Sequence, residues 1–287
     1  MVEYKAINEL LQTGLGTEGQ LLIPRQIYNT LIDEVDKTLI PRTEAAMYFG
    51  PGDIPGSSID VDLVTENKAI VRIVAEGAEI PIDQSEYTSF NLKPVKWGVS
   101  VRITREMIED AKWNMLQHNL KIFGKRFAEN EQKLILQDAL DNATNTVAGG
   151  AAITIANITR AIQYLDDADY TATTLFVGME VLNDLRNIDT FVEANKVGNT
   201  DMIRRGFLGT IYGLSVIKFS TNACPSTTYS KYAYVTDRMH AYVIAEKRPV
   251  TIENFEMPAF DMSAATVTQR IKVRHLRASA ITKITTE

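Results

Sequence analysis

Cysteine, histidine and long apolar stretches are scarce in this chain of 287 residues, and each scarcity excludes a class of protein. The single cysteine, Cys224, excludes an internal disulfide framework and a cysteine-rich metal cluster. The three histidines, His118, His240 and His275, lie far apart in the sequence and lack the spacing of a metal-binding motif. We therefore predict neither a metal site nor a cofactor.

Two further absences concern membranes and export. The sequence has no run of about 18 apolar residues, which a membrane-spanning helix would need. Its first residues, MVEYKAINELLQ, lack the basic segment and apolar core of a secretory signal. We expect an intracellular protein that makes no membrane contact.

An excess of positive charge is also missing. Thirty basic against 36 acidic residues give a formal net charge of -6 at pH 7. Nonspecific DNA binding depends on Lys and Arg neutralising phosphates, so we expect no general affinity for DNA. With 45% hydrophobic residues, the chain can bury a sizeable core in one large domain or two modest ones.

Groups arranged for catalysis are few. Asp237 and His240 are close enough to meet in a turn, but no recognisable nucleophile motif accompanies them, and a polar surface pair is favoured. The run Asp166–Asp169 lacks the Gly and the terminal Glu of a calcium loop. Gly14–Gly19 matches a dinucleotide pattern but follows a helical pattern instead of a strand. We predict that no catalytic site is present.

The spacing of the apolar residues changes from alternation to helical spacing at about position 104. Alternation from Phe90 to Ile103 predicts a half-buried strand. From Thr104, a suitable N-cap, helical spacing continues to Leu140. Unbroken, this helix would be about 55 Å long at ~1.5 Å per residue. Gly124 marks a place for a kink or break.

A two-stranded arm is predicted upstream. Ile59, Val61 and Leu63 alternate with two aspartates, and a polar turn leads to a return strand at 69–75. Such a hairpin has little obvious core of its own and is marginal in water, so we expect it to need a neighbouring subunit. The alternative is an internal hairpin folded over its own domain.

Beyond Gly149 the pattern mixes helices and strands, as in an α+β fold. We predict a helix capped near Asn157, a strand at 174–178, a helix at 180–188, a loop at 189–206 and a strand at 214–220. Strands at 231–236, 240–245 and 250–255 follow, and the clearest alternation begins at Val267. The last strand is expected to tie the end of the chain into a sheet.

The order of these elements resembles the Hong Kong 97 type of major capsid protein of tailed viruses. The segments that carry the resemblance are Glu76-Gly77 to Pro81, Val101–Glu106, Leu175–Gly178 leading to Leu182 and Arg186, Tyr212–Val216, and Val235–Asp237 leading to Tyr242. None is characteristic alone, but their order and spacing together are.

The resemblance implies a division of the chain and a set of subunit contacts. The implied parts are an N-terminal arm (1–50), an extended E-loop (51–94), a P-domain with a long spine helix (95–145 and 241–273) and an A-domain (146–240 and 274–287). The implied E-loop contacts are Ile59, Val61, Leu63, Lys68, Arg72, Glu76 and Glu79. The implied axial loop of the A-domain carries Asn195, Lys196, Asn199, Arg204 and Arg205.

The function implied is that of a major capsid protein. Pentamers and hexamers would form an icosahedral shell in the host cytoplasm, enclosing double-stranded DNA without sequence-specific binding, with portal and scaffolding proteins as partners. Two alternatives remain open: an encapsulin, which is a cellular shell protein of related fold, and an unrelated binding protein or enzyme.

Covalent linking of subunits is expected to be absent. Some relatives join an E-loop lysine to a neighbour's asparagine with help from a glutamate, and these lysine and glutamate positions fall here on Ile80 and on or beside Gln269. Assembled particles boiled in denaturant and reductant should therefore run as a single band near 32.0 kDa. A ladder that survives reduction, with Lys68 or Lys93 in a linked peptide, would contradict this prediction.

Overall fold

The computed structural model describes residues 41–64, 73–74, 76, 79, 87–104, 115–188, 207–224, 226–257 and 260–286. Helices and strands are mixed along these residues, which confirms the predicted α+β class. The strands are β1 Met47–Phe49, β2 Ile59–Val64, β3 Tyr87–Leu92, β4 Val95–Thr104, β5 Asn145–Ala148, β6 Thr174–Val177, β7 Phe207–Ile211, β8 Leu214–Lys218, β9 Tyr232–Thr236, β10 Tyr242–Met257, β11 Met262–His275 and β12 Ile281–Thr285. The longer helices are α1 Met115–Leu134, α2 Ile155–Asp166 and α3 Met179–Arg186.

A long antiparallel hairpin of β10 and β11 forms the centre of a four-stranded sheet with the order β1-β10-β11-β4. The sequence predicts two strands where β10 is one. Its pairing with β11 is irregular on both sides of Arg248, and Pro249 has no backbone N–H to donate to the ladder. This irregularity interrupts the alternation without ending the strand.

Helix α1 packs on one face of this sheet. Phe127 and Ala128 are buried there against Val250 and Val267, with Trp97 and Val99 partly buried beside them. Trp97 and Val99 thus lie on the buried side of the predicted alternation. The predicted single strand from residue 90 to 103 is wrong, because β3 and β4 belong to different sheets and are separated by residues 93–94.

The long helix does not break at Gly124, since α1 runs through it. It changes instead at Ile135–Ala139, where the helix widens to the π form, and it ends in a 3-10 turn at Leu140–Asn142. Buried side chains of the widened turn, such as Leu136, pack against both large sheets. The end agrees with the predicted Leu140, whereas the start lies outside the described residues.

A second sheet has six strands in the order β5-β12-β9-β6-β8-β7. Helices α2 and α3 cover one face, where Leu165, Val181 and Leu185 are fully buried. Thr154, not Asn157, caps α2, because the Thr154 side chain accepts from the Asn157 N–H at 3.4 Å. Strand β12 lies inside the sheet between β5 and β9, which confirms that the final strand is tied in.

The base of the predicted arm is a ribbon of β2 and β3. Among the described residues β2 pairs with β3, from Ile59↔Leu92 to Val64↔Tyr87, whereas the sequence predicted a return strand at 69–75. Positions 73 and 74 lie outside any strand, and 65–72 fall outside the described residues. Buried Val61 and Leu92 pack against Ile54, Val243, Ala245 and Leu276. The base therefore has a core within its own chain, as the alternative interpretation held.

Gly178, between β6 and α3, lies very close to the backbone of another segment of the chain. A substitution at this position therefore tests the packing of the six-stranded sheet. A Cβ there would overlap the backbone of Tyr229 and Ser230. We expect Gly178→Ala to lower the free energy of unfolding by about 1–3 kcal/mol, the usual cost of overpacking. Gly52→Ala is the control, because a Cβ at Gly52 would meet nothing within 4 Å. Equal urea midpoints for the two variants would contradict this account.

Candidate functional site

The end of the predicted N-terminal arm is fixed to the body by Arg42. Its guanidinium donates to Glu131 of α1 at 2.5 and 2.7 Å and to Glu246 of β10 at 3.0 and 3.2 Å. The carboxylate side chains are 1% and 3% exposed. A single cation therefore bridges two buried carboxylates on different elements. Five residues further along, β1 continues the attachment by pairing in parallel with β10.

Two other donors complete the surroundings of Glu246. The Tyr48 hydroxyl donates to Glu246, and Gln269 Nε2 donates to it at 2.8 Å from the adjacent strand. Gln269, predicted to replace or lie beside a linking glutamate, is itself 1% exposed. The carboxylate of Glu246 thus lies beside Gln269. It is buried, and it accepts hydrogen bonds from three side chains, those of Arg42, Tyr48 and Gln269. We name Arg42, Tyr48, Glu131, Glu246 and Gln269 the arm clamp.

Burial and charge have opposite effects within the arm clamp. Burial raises the pKa of Glu131, and the hydrogen bonds and charge of Arg42 offset only part of that rise. Burial alone would lower the pKa of Arg42, but its hydrogen bonds to Glu131 and Glu246 and their charges raise it overall. Arg42 therefore stays cationic and holds the two carboxylates together.

The predicted contact residues are described only in part. Ile59 and Leu63 are half-buried and Val61 is buried, all within the core at the base of the E-loop. Glu76 and Glu79 are exposed. Their assignment to subunit contacts stays a prediction. The remaining predicted contacts, namely Lys68, Arg72, Asn195, Lys196, Asn199, Arg204 and Arg205, lie outside the described residues.

Asp237 and His240 do meet, as the sequence allowed. His240 Nδ1 lies 2.7 Å from Asp237 Oδ2, and the same carboxylate group accepts from the Met239 N–H at 2.9 Å. Asp237 also donates its own N–H to Ala280 O at 3.1 Å. The pair therefore stabilises the turn between β9 and β10, and it differs from the favoured surface pair in that Asp237 is buried while His240 is exposed.

The described residues contain neither a candidate metal cluster nor a candidate membrane-spanning helix. Within the described ranges, no group of three His, Cys, Asp or Glu side chains is placed to hold a metal ion. In that same part of the chain, no helix has both the length and the apolar character to cross a membrane.

The partners within the arm clamp could not be identified from the sequence. Its charged members are separated by up to 204 positions, from Arg42 to Glu246, and belong to three elements. Glu246 stands at a core-facing position of β10, and a charge in such a position was the available clue. That clue does not identify the partner, which depends on the folded topology.

Replacing Arg42 should show how much the cation of the arm clamp contributes to the free energy of unfolding. We expect Arg42→Met to lower the free energy of unfolding by about 3–5 kcal/mol near pH 8, because two buried carboxylates lose their cation. A buried carboxyl with a raised pKa, such as that of Glu131, keeps a proton in the folded state that the unfolded chain has released, so stability falls as pH rises above about 4.3. The loss should therefore shrink toward pH 5.

Urea unfolding of the unassembled subunit at pH 5 and pH 8 measures this difference. Arg160→Met, at an exposed position of α2, is the control and should show little change at either pH. Adding Glu131→Gln to Arg42→Met should recover part of the loss at pH 8. A loss that is the same at both pH values would show that Arg42 acts only through packing.

Solved structures of other proteins share this fold over most of the length of the chain. A structure from Microbacterium phage Oxtober96 matches with a TM-score of 0.64 at 16% identity, covering 85% of this chain and 90% of that chain. The mature capsid of bacteriophage PhiM1 matches at 0.60 and 11% identity, over 84% and 85%. The capsid of a native GTA particle matches at 0.60 and 13%, over 87% and 90%.

These likenesses establish the fold and confirm the predicted Hong Kong 97 type. No curated protein sequence matches the chain. The family model described as phage capsid protein matches residues 87–283, which is more than half of the sequence. The chain therefore belongs to the phage capsid protein family.

Proposed function

We propose that this chain is the major capsid protein of a tailed virus and forms an icosahedral shell around a double-stranded DNA genome. The observation that carries the proposal is the family match from residue 87 to 283, which spans both large sheets and α1. The fold shared with phage capsids supports it. An encapsulin is not favoured, because the matching family is that of phages.

The role is structural, and the proposed partners follow from it. Copies of the chain form pentamers and hexamers in the host cytoplasm, with portal and scaffolding proteins, and the finished shell is part of the virion. The net charge of -6 fits a wall that encloses DNA without gripping it. For the arm, E-loop, P-domain and A-domain we propose the boundaries predicted from the sequence.

Subunit contact is assigned to the E-loop beyond its base and to the axial loop. Among the described residues the register runs to Val64↔Tyr87, and residues 65–86 connect the two strands of the ribbon. Lys68, Arg72, Glu76 and Glu79 fall within this segment. We assign them to contacts between neighbours, and Asn195, Lys196, Asn199, Arg204 and Arg205 to contacts around the symmetry axes.

Deleting the E-loop beyond its base should separate folding from assembly. Since Val64 faces Tyr87, residues 65–86 can be replaced by Asn-Gly, a two-residue turn suited to an antiparallel hairpin. We expect the body to stay folded, because Val61 and Leu92 keep their core, while closed particles disappear. Circular dichroism and electron microscopy measure the two results.

The unaltered chain is the reference for this experiment. It should form closed particles, and particles from the virus should protect DNA from nuclease. A deletion variant that still gave closed particles of normal size would contradict the role of residues 65–86. An unaltered chain that stayed a folded monomer under all concentrations and salt conditions would contradict the shell itself.

A further inference from the structure

Three neighbouring backbone connections join the two large sheets in the described part of the chain. They are residues 143–144, 237–241 and 276–280. The connections are bonded to one another, since the Thr144 N–H donates to Ala278 O at 3.1 Å and the Leu276 N–H donates to Ala241 O at 2.8 Å. They therefore lie side by side, and a narrow junction of this kind allows two packed bodies to turn relative to each other.

A further link between the sheets is formed by the short turn that carries Arg42. This 3-10 turn, Pro41–Glu44, precedes β1. Its Arg42 holds α1 and β10, whereas its Glu44 accepts from the Thr174 hydroxyl at 2.7 Å. Thr174 is the first residue of β6 in the six-stranded sheet and is 1% exposed. One turn of the chain thus binds both bodies.

The residues after Glu44 lie over the core that the sheets share. Ala45 packs against the cluster that contains Phe176 of one sheet and Ile244 of the other. The Ala46 N–H donates to Tyr242 O at 2.8 Å. Residues 41–46, which we name the strap, therefore cross the boundary between the two sheets and are bonded on both sides of it.

Helix α1 makes the opposite attachment. Gln132 of α1 accepts from the Ser220 N–H at 3.0 Å, and Ser220 lies just beyond the end of β8. Strand β8 is parallel to β6, with Ser215 beside Thr174. The five residues from 215 to 220 span roughly 16 Å at about 3.3 Å each. The strap and the helix therefore hold opposite ends of the same pair of strands.

We propose that the strap fixes the angle between the two sheets, and that its release at Glu44 lets them turn about the attachment of the helix. Arg42 forms four hydrogen bonds to buried carboxylates, so its end of the strap is the stronger one. Glu44 has the Thr174 hydroxyl and an ion pair at 4.0 Å with Arg238, which is 54% exposed. Exposed ion pairs contribute little, so the strap opens at Glu44.

This inference rests on the proposed function. A shell that contains both pentamers and hexamers places identical chains in unequal surroundings. A subunit whose two sheets can take more than one angle fits both kinds of ring, and the strap limits the range of angles that it can take. A weakened strap should consequently give particles of more varied curvature.

Thr174→Val tests the strap, because it removes the hydroxyl and keeps the branched shape of the side chain. We expect the amides of the strap, such as that of Ala46, to exchange hydrogen at least about tenfold faster in the unassembled subunit, since a hydrogen bond to a carboxylate is lost. Amides of β11 should keep their rates. Adding Thr174→Val to Glu44→Ala should bring no further acceleration, because the hydroxyl has then already lost its partner.

Thr236→Val is the matched control. Thr236 lies directly opposite Thr174 on β9 and is also 1% exposed. Its hydroxyl has no hydrogen-bond partner among the residues that the structure describes. The same substitution at this position should leave exchange in the strap unchanged. Equal acceleration by the two variants, or effects of Glu44→Ala and Thr174→Val that simply add, would overturn the strap.

The angle itself is measured by pulsed electron paramagnetic resonance on the unassembled subunit. Lys96→Cys on β4 and Gln163→Cys on α2 place nitroxide labels at exposed positions of the two bodies, and Cys224→Ser removes the single native cysteine. Thr174→Val should broaden the distribution of distances between the labels, and Thr236→Val should not. A distribution that Thr174→Val leaves unchanged would overturn the proposal while the shell function stands.

Electron micrographs of assembled particles complete the test. Particles of the Thr174→Val variant should have a wider range of diameters than those of the unaltered chain and of Thr236→Val. Equal ranges of diameter would show that the strap has no part in setting curvature. Failure of the unaltered chain to form particles would instead count against the shell function, whatever the exchange and distance measurements give.

Discussion

The bridge from Arg42 to Glu131 and Glu246 holds three parts of the structure together through one cation and two buried carboxylates. Glu131 belongs to the helix and Glu246 to the central hairpin, while Arg42 precedes the first strand. Each carboxylate is buried at a cost that only a cation and further donors offset. The helix, the hairpin and the arm are consequently held in one arrangement, because separating any of them would leave a buried charge without its partner.

The apolar core extends this arrangement from one sheet to the other. Side chains of the widened helical turn, Ile135 and Leu136, lie in a cluster with Ile244 and Ile271 of the four-stranded sheet. Phe176 of the six-stranded sheet joins the same cluster and stacks on Phe219 with ring centroids 5.4 Å apart. A wider turn displaces the helix side chains from regular spacing, which lets this turn face both sheets.

The sequence predicts the elements of this fold that have a regular spacing of apolar residues. It predicts fewer of the features that depend on contacts between distant segments. The alternation after Val267 and the helical spacing up to Leu140 are local, so β11 and the end of the helix follow from them. The pairing of Ile59 with Leu92 is not local, and nothing in either segment identifies the other. The segment at 69–75 lies nearer in the sequence and has a suitable pattern, so the sequence alone favours it as the return strand.

The same limit applies to the site. Arg42 follows a proline in an unremarkable stretch, and its role becomes visible only when β10 and α1 meet. Gly124 was a reasonable place for a break by propensity, yet tertiary packing carries the helix through it. The overall topology is indicated by the family resemblance and not by periodicity. The resemblance depends on the order of several short segments, whereas periodicity describes only one segment at a time.

The interior place of β12 has a consequence for the nascent chain. Strands β5 and β9 both border β12, so each presents an unpaired edge until residues 281–285 have been synthesised. Because translation proceeds at about 5–20 residues per second, the edge of β9 stays unpaired for several seconds. Open edges pair readily with other chains, and a protein made in many copies at once meets those copies on neighbouring ribosomes. Completion of the last strand therefore closes the two edges through which unfinished copies could pair with one another.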